Sequence, residues 1–291
     1  MSKDYLIPKD WTGKLSRLSI ATKSKLRGQH KGSHRSQRFG ASLDFSDFRE
    51  YTPGDDVRQI DWNVYARTDK YFIKRFLDEQ EMRVHILLDS SKSMGEKVKW
   101  NFARQLAASL GILVLQRDDR LTFSMVSNEK VPPFRRKGAT YRKAFAQVIT
   151  DLNPPSMVDS FAKNAISFLP KDSTVLFLIT DCLEDIEHLR TLIQKLPRFA
   201  GDIRLLQIVT NEELTPSFSG DMQLEDVETA QQLNISMSSR VIDSYNEERK
   251  LHQLAVEKLC SKFGIKLIQV NADEGISHVL FHQLLRANWV Q

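Results

Sequence analysis

Two short apolar runs, each ending close to an acid, dominate the pattern of this chain. Residues 84–88 are apolar apart from His85, and the run stops at Asp89. Residues 175–179 form the second run, and Asp181 follows it after one residue. Short runs without polar alternation are typical of strands buried on both faces of a parallel sheet. We therefore predict that these two strands lie inside one sheet.

Amphipathic segments follow most of the predicted strands. After Asp89, the residues Phe102, Leu106, Leu110 and Leu113 recur at helical spacing. Strands alternating with helices favour a doubly wound, mostly parallel sheet of the Rossmann type. Further strands are predicted at 120–126, 202–209 and 265–270, and further helices at 141–152, 158–168, 186–196, 239–263 and 276–287.

The remaining patterns are those of β-structure outside this sheet. Alternating apolar residues from Phe39 to Phe45 and a run at 71–77 predict strands before the α/β domain. A hairpin is predicted at about 219–237. We expect a basic, partly flexible N-terminal arm over 1–38, a β-rich segment over 39–82, and the α/β domain over 83–291.

The charge of the chain is concentrated near its start. The 291 residues carry a net charge of +5, whereas residues 1–40 hold ten basic and two acidic residues, or +8 (10 − 2). Such an arm suits nucleic acid, anionic lipid or an acidic partner. It also suits a solvated tail, which we favour because aromatic residues that would stack on bases are not interleaved with the charges.

Composition indicates an ordinary globular protein. No apolar stretch reaches the roughly 18–20 residues that span a bilayer, and the first residues lack the apolar core of a secretory signal. The only cysteines, Cys182 and Cys260, have no metal-ligand spacing. We therefore expect a cytoplasmic protein without a transmembrane segment.

Candidate chemistry lies where the first buried strand ends. Asp89 begins an Asp-x-Ser-x-Ser pattern, which places the hydroxyls of Ser91 and Ser93 beside a carboxylate. In open α/β sheets, ligands bind beyond the carboxyl ends of the strands. These are hard oxygen ligands that suit Mg²⁺ or Mn²⁺, and Asp181 is predicted to reach the same edge. The same residues are also good helix N-caps, so the pattern alone supports both interpretations.

With Asp181, this pattern resembles the metal-ion-dependent adhesion site (MIDAS) of von Willebrand factor A domains. Residues 48–68, Phe-Arg-Glu-Tyr-Thr-Pro-Gly-Asp-Asp-Val-Arg-Gln-Ile-Asp-Trp-Asn-Val-Tyr-Ala-Arg-Thr, resemble the signature of the family catalogued as domain of unknown function 58. The resemblance implies a von Willebrand factor A-like domain, magnesium held by Asp89, Ser91, Ser93 and Asp181, and a MoxR-type AAA+ ATPase as partner.

The charges of this signature alternate in sign, which has two interpretations. They form an ion-pair network that holds the segment on the α/β domain, or they form a docking surface for a partner. The candidate docking residues are Arg49, Asp55, Asp56, Arg58, Asp61, Trp62 and Arg67.

One position departs from the adhesion site that the chain resembles. That site takes a Thr from a loop between the two Asp-bearing strands, and Val158 stands at the corresponding place. Val matches Thr in shape but offers no oxygen, so the site is expected to be weakened unless Ser156, Asp159 or Ser160 substitutes.

We therefore predict a non-enzymatic protein-interaction module that binds an acidic ligand. A metal-dependent hydrolase that uses the same Asp cluster is the alternative, and a nucleic-acid-associated scaffold that uses the basic arm is a third interpretation. A phosphatase of the haloacid dehalogenase type is disfavoured, because Ser91 stands where its second acid is needed.

Overall fold

The computed structural model describes residues 11–22, 31–39, 45–128, 131–155, 160–216, 220–225 and 232–291. Contacts divide them into two compact units. Residues 11–22 belong to the same unit as 83–291, and the rest, within 26–82, form the second.

A six-stranded sheet forms the centre of the first unit. Its strands, in the order in which they occur along the chain, are β4 (Arg83–Asp89), β5 (Arg120–Val126), β6 (Phe134–Lys137), β7 (Ser173–Thr180), β8 (Ala200–Val209) and β11 (Lys266–Asn271). Their order in the sheet is β11-β8-β7-β4-β5-β6. All neighbours are parallel except β5 and β6, which are antiparallel. The mixed α/β class with a mostly parallel sheet is thereby confirmed.

Helices cover both faces of this sheet. They are α1 (Trp11–Leu15), α3 (Lys97–Leu115), α4 (Arg142–Thr150), α5 (Phe161–Asn164), α6 (Ile186–Lys195), α7 (Asn211–Leu214), α8 (Ser239–Lys262), α9 (Gly275–His278) and α10 (Leu284–Arg286), with a π-helical turn at Val279–Gln283. Helix α3 packs with α1, α4 and α9, whereas α6 packs with α5 and α8.

The group of helices around α3 and the group around α6 lie on opposite faces of the sheet, and they contact alternate residues of its strands. Leu176 and Leu178 of β7 belong to the core cluster that includes residues of α5, α6 and α8. Phe177 points the other way and lies 6.2 Å from the ring of Trp289. Because successive side chains of a strand point to opposite faces, a continuous apolar run is needed to cover both.

Helix α3 is held closely against the next helix. A Cβ atom at Gly111 would lie 2.0 Å from Cε1 of Phe145 in α4, so no larger residue fits without movement. The buried residues of α3 include Phe102, Leu106 and Leu110, which were predicted from their spacing. This packing holds the first turn of α3 beside the carboxyl ends of the strands.

Residues 11–22, which the sequence analysis placed in the basic arm, are packed onto this unit. Trp11, Leu15, Leu18 and Ile20 are all buried. The side-chain amide of Gln116, just after α3, donates to the carbonyl oxygens of Leu15 and Leu18 at 2.6 and 3.1 Å. Four apolar side chains outweigh the few charges between them, so this part of the predicted arm is structural.

The second unit contains a three-stranded antiparallel sheet in the order β1-β3-β2. Its strands are β1 (Lys31–Phe39), β2 (Phe45–Glu50) and β3 (Phe72–Gln80). Helix α2 (Trp62–Thr68) connects β2 and β3, and the Asp61 carboxylate caps it by accepting from the amide of Asn63 at 2.9 Å. The sequence analysis predicted strands here but missed the helix.

Two other strands form the predicted hairpin. They are β9 (Gly220–Glu225) and β10 (Gln232–Met237), which pair antiparallel with Met222 opposite Ile235. Strand β6 was not predicted, because its sequence Phe-Arg-Arg-Lys lacks an apolar pattern.

Candidate functional site: the carboxyl edge of the sheet

The carboxylate of Asp89 lies buried at the end of β4 and accepts two hydrogen bonds. The amide of Ser91 donates to Oδ1 at 2.7 Å, and the hydroxyl of Thr180 donates to Oδ2 at 2.6 Å. Asp89 itself is 1% exposed. Because β4 and β7 are parallel neighbours in register, the side chain that faces Asp89 across the pair comes from the end of β7.

The two serines of the pattern lie together in the turn after β4. The hydroxyl oxygens of Ser91 and Ser93 are 3.0 Å apart. The turn is a short 3₁₀ helix over Lys92–Gly95, and Ser91 makes no side-chain capping bond there. The helix-cap interpretation of this serine is therefore wrong, whereas its backbone amide does hold Asp89.

The acid of the second strand also reaches this edge. Asp181 is 2% exposed, and its Oδ1 accepts from the amide of Leu183 at 3.1 Å. The next residue, Cys182, has a left-handed backbone with φ of 58°. That conformation is uncommon outside Gly and turns the chain sharply away from the strand. The Cys182 carbonyl is held by the ring Nε2 of His252 at 2.8 Å.

The sequence analysis missed three residues of this edge, which are Lys99, Glu213 and Thr180, and Lys99 is the most buried cation among the site's contacts. Its ammonium donates to Asp181 Oδ2 at 3.1 Å, to Glu213 Oε1 at 2.5 Å and to the carbonyl oxygen of Ser93 at 3.3 Å. The side chain is only 2% exposed. A Lys in the first turn of a helix between Val98 and Trp100 was a weak signal of burial, since Lys99 lies on the face that continues through Phe102 and Leu106.

Glu213 lies on α7, directly after β8, and a capping box fixes its position. The hydroxyl of Thr210 accepts from the amide of Glu213, while Glu213 Oε2 accepts from the amide of Thr210 at 2.9 Å. The hydroxyl of Tyr245 donates to the carbonyl oxygen of Glu213 at 3.2 Å. The side chain of Glu213 is 25% exposed, so it is the part of this cluster that meets solvent.

The pKa values at this edge depart from their ordinary range. Burial, and next the charge of Asp181, raise the pKa of Asp89 to about 7. Burial lowers the pKa of Lys99, but the charges of Asp181 and Glu213 raise it by more, and the net pKa is above its ordinary value. Burial and the neighbouring Asp181 hold the pKa of the Cys182 thiol well above its usual range, so this thiol is not an activated nucleophile.

The donors at this edge fit a hard divalent cation in kind. Asp89, Ser91, Ser93 and Asp181 offer carboxylate and hydroxyl oxygens at the ends of neighbouring strands, as predicted. Within the described ranges, no three His, Cys, Asp or Glu side chains group as metal ligands, so a metal here would depend on the serine hydroxyls. Asp181 differs from the expectation, because an ammonium already contacts one of its oxygens.

The loop that was expected to supply the Thr lies outside the described residues at Ser156, Val158 and Asp159. Ser160, the next residue, is described, and its hydroxyl donates to Glu184 Oε2 at 2.5 Å and accepts from the amide of Lys163. Ser160 therefore caps α5, which accounts for its polar contacts without a metal.

The predicted docking residues all lie in the second unit, where several pair locally. Arg49 contacts Asp55 at 2.7 Å, and Arg58 contacts Asp56 at 3.4 Å. Hydrogen bonds from the Thr52 amide and from Arg49 lower the pKa of Asp55 to about 2. The remaining candidates are Asp61, which caps α2; Arg67, which donates to the Asn63 carbonyl oxygen at 3.2 Å; and Trp62, which is 60% exposed.

The fold and this edge define a class: an α/β protein with a buried charged cluster where its parallel strands end. The chain belongs to the family described as "Protein of unknown function DUF58", whose model matches residues 47–255. That range includes the signature segment and every described member of the charged cluster. The family resemblance read from residues 48–68 is thereby confirmed.

Curated relatives match a smaller part of the chain. "Uncharacterized protein Rv1480" of Mycobacterium tuberculosis and "Uncharacterized protein Mb1516" of Mycobacterium bovis are each 34% identical over 80 residues, or 28% of this chain. The match covers 25% of the length of these relatives, so it concerns a quarter of each.

Two solved structures that match much of this chain share little sequence with it. One is the conserved hypothetical protein BatB from Bacteroides thetaiotaomicron, with 13% identity, a TM-score of 0.33, and 71% of this chain and 98% of that one covered. Another is an aerotolerance-related membrane protein from Bacteroides fragilis, with 14% identity, a TM-score of 0.33, and 61% and 99% covered. No helix in the described part of the present chain is long and apolar enough to cross a membrane.

Proposed function

We propose that this protein is a non-enzymatic interaction module that binds an acidic segment of a partner at the carboxyl edge of its sheet. The observation that carries the proposal is the cluster of Asp89, Asp181, Lys99 and Glu213. The first three residues are buried, and the carboxylate of Glu213 is the part of the cluster that solvent reaches. Buried charges that are held by hydrogen bonds and open at one point suit recognition of a charged group.

The partner class in this proposal is a MoxR-type AAA+ ATPase, and the domain is proposed to be of the von Willebrand factor A type. Support comes from family membership and from a parallel sheet whose central strands end in acids. Asp89, Ser91, Ser93 and Asp181 would hold a bound Mg²⁺ or Mn²⁺. Such an ion would supply positive charge to a partner carboxylate.

The remaining residues of the edge position these groups. Thr180 and the Ser91 amide orient the Asp89 carboxylate, and the Leu183 amide orients that of Asp181. The proposed location is the cytoplasm, with which the two free thiols of Cys182 and Cys260 are compatible.

Binding to a purified MoxR-type ATPase tests this proposal. Asp181→Asn and Asp89→Ala variants should bind at least tenfold more weakly than wild type in isothermal titration. Exposed Asp172→Asn at the opposite, amino end of β7 is the matched control and should bind normally. Equal affinities for wild type and the two site variants would contradict the proposal.

A metal-dependent hydrolase is the second candidate, and one observation favours it. Asp89 and Asp181 follow neighbouring parallel strands, and with the hydroxyls of Ser91 and Ser93 they would hold a metal ion that lowers the pKa of a bound water and so generates a nucleophile. Turnover of phosphoester substrates that is lost in Asp89→Asn would support this candidate. A complete screen without turnover would count against this candidate.

A further inference from the structure

The ammonium of Lys99 lies at the place where the proposed function requires a cation. It contacts Asp181 Oδ2 at 3.1 Å, and Asp181 is the acid that ends the central strand β7. The same ammonium contacts the carbonyl oxygen of Ser93 in the Asp-x-Ser-x-Ser turn at 3.3 Å. It therefore bridges the two segments that were expected to share a divalent ion.

The contacts of this ammonium are complete. An ammonium has three hydrogen-bond donors, and Lys99 has three acceptors: Asp181, Glu213 and the Ser93 carbonyl. A buried ammonium is costly unless it is paired and hydrogen-bonded, and Lys99 meets both conditions at 2% exposure. The cluster is thus an assembled cation site rather than a lysine that happens to be near an acid.

A divalent ion on Asp181 would conflict with this arrangement. Oδ2 faces the ammonium and Oδ1 accepts from the Leu183 amide, so each oxygen already has one hydrogen-bond donor. An ion bound at Oδ2 would lie within a few ångströms of Lys99, where like charges repel strongly in a site shielded from water. Metal at Asp181 therefore requires that Lys99 withdraw.

The carboxylate of Glu213 lies where the proposed function places the carboxylate of the partner. It contacts Lys99 at 2.5 Å on the solvent side of the cluster, which is where a partner carboxylate would approach. Glu213 also keeps a separate hydrogen bond, from the Thr210 amide to Oε2, that holds α7 when its Oε1 is released. The chain thus contains both a cation and a carboxylate at the proposed binding site.

From this geometry we infer that Lys99 is the resident cation at Asp181, and that Glu213 is the resident carboxylate in the position of the partner's acid. The inference rests on the proposed function and specifies how its site works. A partner carboxylate would replace Glu213 on Lys99, so one ion pair is exchanged for another. Lys99 would then supply at Asp181 the positive charge that the proposed function assigns to a divalent ion, so recognition needs no divalent ion at this carboxylate.

Titration with Mn²⁺ alone tests the role of Lys99, with calorimetry and the paramagnetic signal of bound Mn²⁺ as readouts. Lys99→Met removes the ammonium and should strengthen Mn²⁺ binding at least tenfold relative to wild type. Lys99→Arg keeps the charge and should not gain binding. Lys97→Met, an exposed lysine of the same helix, is the matched control and should behave as wild type.

A second substitution locates the gain. In the Lys99→Met background, Asp181→Asn should abolish the added Mn²⁺ affinity, whereas in wild type Asp181→Asn should change Mn²⁺ affinity less than threefold. Circular dichroism melts of every variant establish that each is folded. Wild type that binds Mn²⁺ as tightly as Lys99→Met would overturn the inference, and so would a folded Lys99→Met protein without any gain.

The role of Glu213 is tested with an acetylated hexaglutamate peptide as the probe. Glu213→Gln should bind this peptide at least threefold more tightly than wild type, because the competing carboxylate is gone, and chelator should not weaken binding. Lys99→Met should lose it. Unchanged peptide affinity in Glu213→Gln would overturn the proposed exchange of carboxylates. If wild type binds neither the peptide nor the ATPase, the proposed function is rejected, and the Mn²⁺ titrations alone decide whether Lys99 is the resident cation.

Discussion

Two buried ion clusters lie at opposite ends of the six-stranded sheet, and they differ in charge balance. At the amino ends, the Arg204 guanidinium donates to Asp202 Oδ2 at 2.6 Å and to the carbonyl oxygen of Trp289 at 2.9 Å. Asp202 also accepts from Lys266 at 2.8 Å and from Thr22 at 2.9 Å. One carboxylate there is matched by two cations.

At the carboxyl ends the ratio is reversed. The single ammonium of Lys99 contacts Asp181 and Glu213, and Asp89 is the third carboxylate of the cluster. The carboxylate of Asp89 accepts hydrogen bonds from the Thr180 hydroxyl and the Ser91 amide rather than from a cation. This end therefore has an excess of negative charge, while the amino end does not.

The pKa values express the same difference. Burial raises the pKa of Asp202, but Arg204 and Lys266 lower it by more, and the net pKa is below its ordinary value. Burial and the charge of Asp181 raise the pKa of Asp89 to about 7. A cluster whose carboxylate is fully paired with cations is typical of a structural ion pair, whereas a cluster with a carboxylate that lacks a cation is suited to a ligand.

The amino-end cluster also has a structural task that can be named. Arg204 donates to the carbonyl oxygen of Ala21 as well as to that of Trp289, and its guanidinium lies 5.3 Å from the ring centre of Phe177. It thereby joins the N-terminal segment 11–22, the sheet and the C-terminal residues. The carboxyl-end cluster joins strand ends that are already neighbours.

The largest expected effect is that of removing Arg204. Arg204→Met leaves Asp202 without its buried partner and removes the donor to the Ala21 carbonyl oxygen, so the free energy of unfolding should fall by about 3–5 kcal/mol. Urea denaturation of the variant and wild type measures this. Lys99→Met should cost less, because Glu213 can turn to solvent, and a larger loss for Lys99→Met would reverse the comparison.

The next effect concerns His85, which lies on β4 between the two clusters. Burial, and next the charge of Arg135, lower the pKa of His85 to about 3. Between pH 6.5 and about 3, the unfolded chain binds a proton that the folded chain does not, so folding stability falls as the pH falls. Relative to pH 7, this one group should cost about 3 kcal/mol at pH 4.

His85→Gln keeps a partner for the Ser124 hydroxyl, which lies 3.2 Å from the ring, and removes the titration. The variant should lose about 3 kcal/mol less stability than wild type between pH 7 and pH 4. Exposed His282→Gln is the control and should follow wild type. Parallel stability curves for His85→Gln and wild type would show that this histidine is not what makes the sheet acid-sensitive.

A smaller effect is expected from magnesium. Mass action predicts that 10 mM Mg²⁺ raises the melting temperature of Lys99→Met by about 3 °C and that of wild type by about 1 °C. Adding Asp89→Ala should remove both shifts, since it deletes a ligand. Differential scanning calorimetry in chelator and in Mg²⁺ measures these shifts. Equal shifts in all proteins would show that Mg²⁺ does not bind at the carboxyl-end cluster.

The smallest effect is expected at Val158, whose place in the site is predicted from sequence alone. Val158→Thr should raise Mg²⁺ affinity about threefold by adding a hydroxyl ligand, and it should cost up to about 1 kcal/mol in chelator if that hydroxyl is buried without a partner. Isothermal titration compares the two proteins. Equal affinities would direct attention to Ser156 or Asp159.

The sequence alone determined the strands and the acids at their ends. Continuous apolar runs at 84–88 and 175–179 can only be covered on both faces, so they predicted the parallel sheet and the meeting of Asp89 with the end of β7. The 21-residue signature predicted the family. These features are local or periodic, and a single sequence displays them directly.

Only the tertiary structure decided which charges meet. Lys99 and Glu213 are 114 positions apart, and Arg204 reaches Ala21 and Trp289 across most of the chain. An ion pair has no periodicity and no fixed spacing, so a buried lysine in a helix resembles an exposed one until the strands are ordered. The parallel order of β4, β7 and β8 brought α3 and α7 to one edge, and burial there turned an ordinary lysine into the cation of the site.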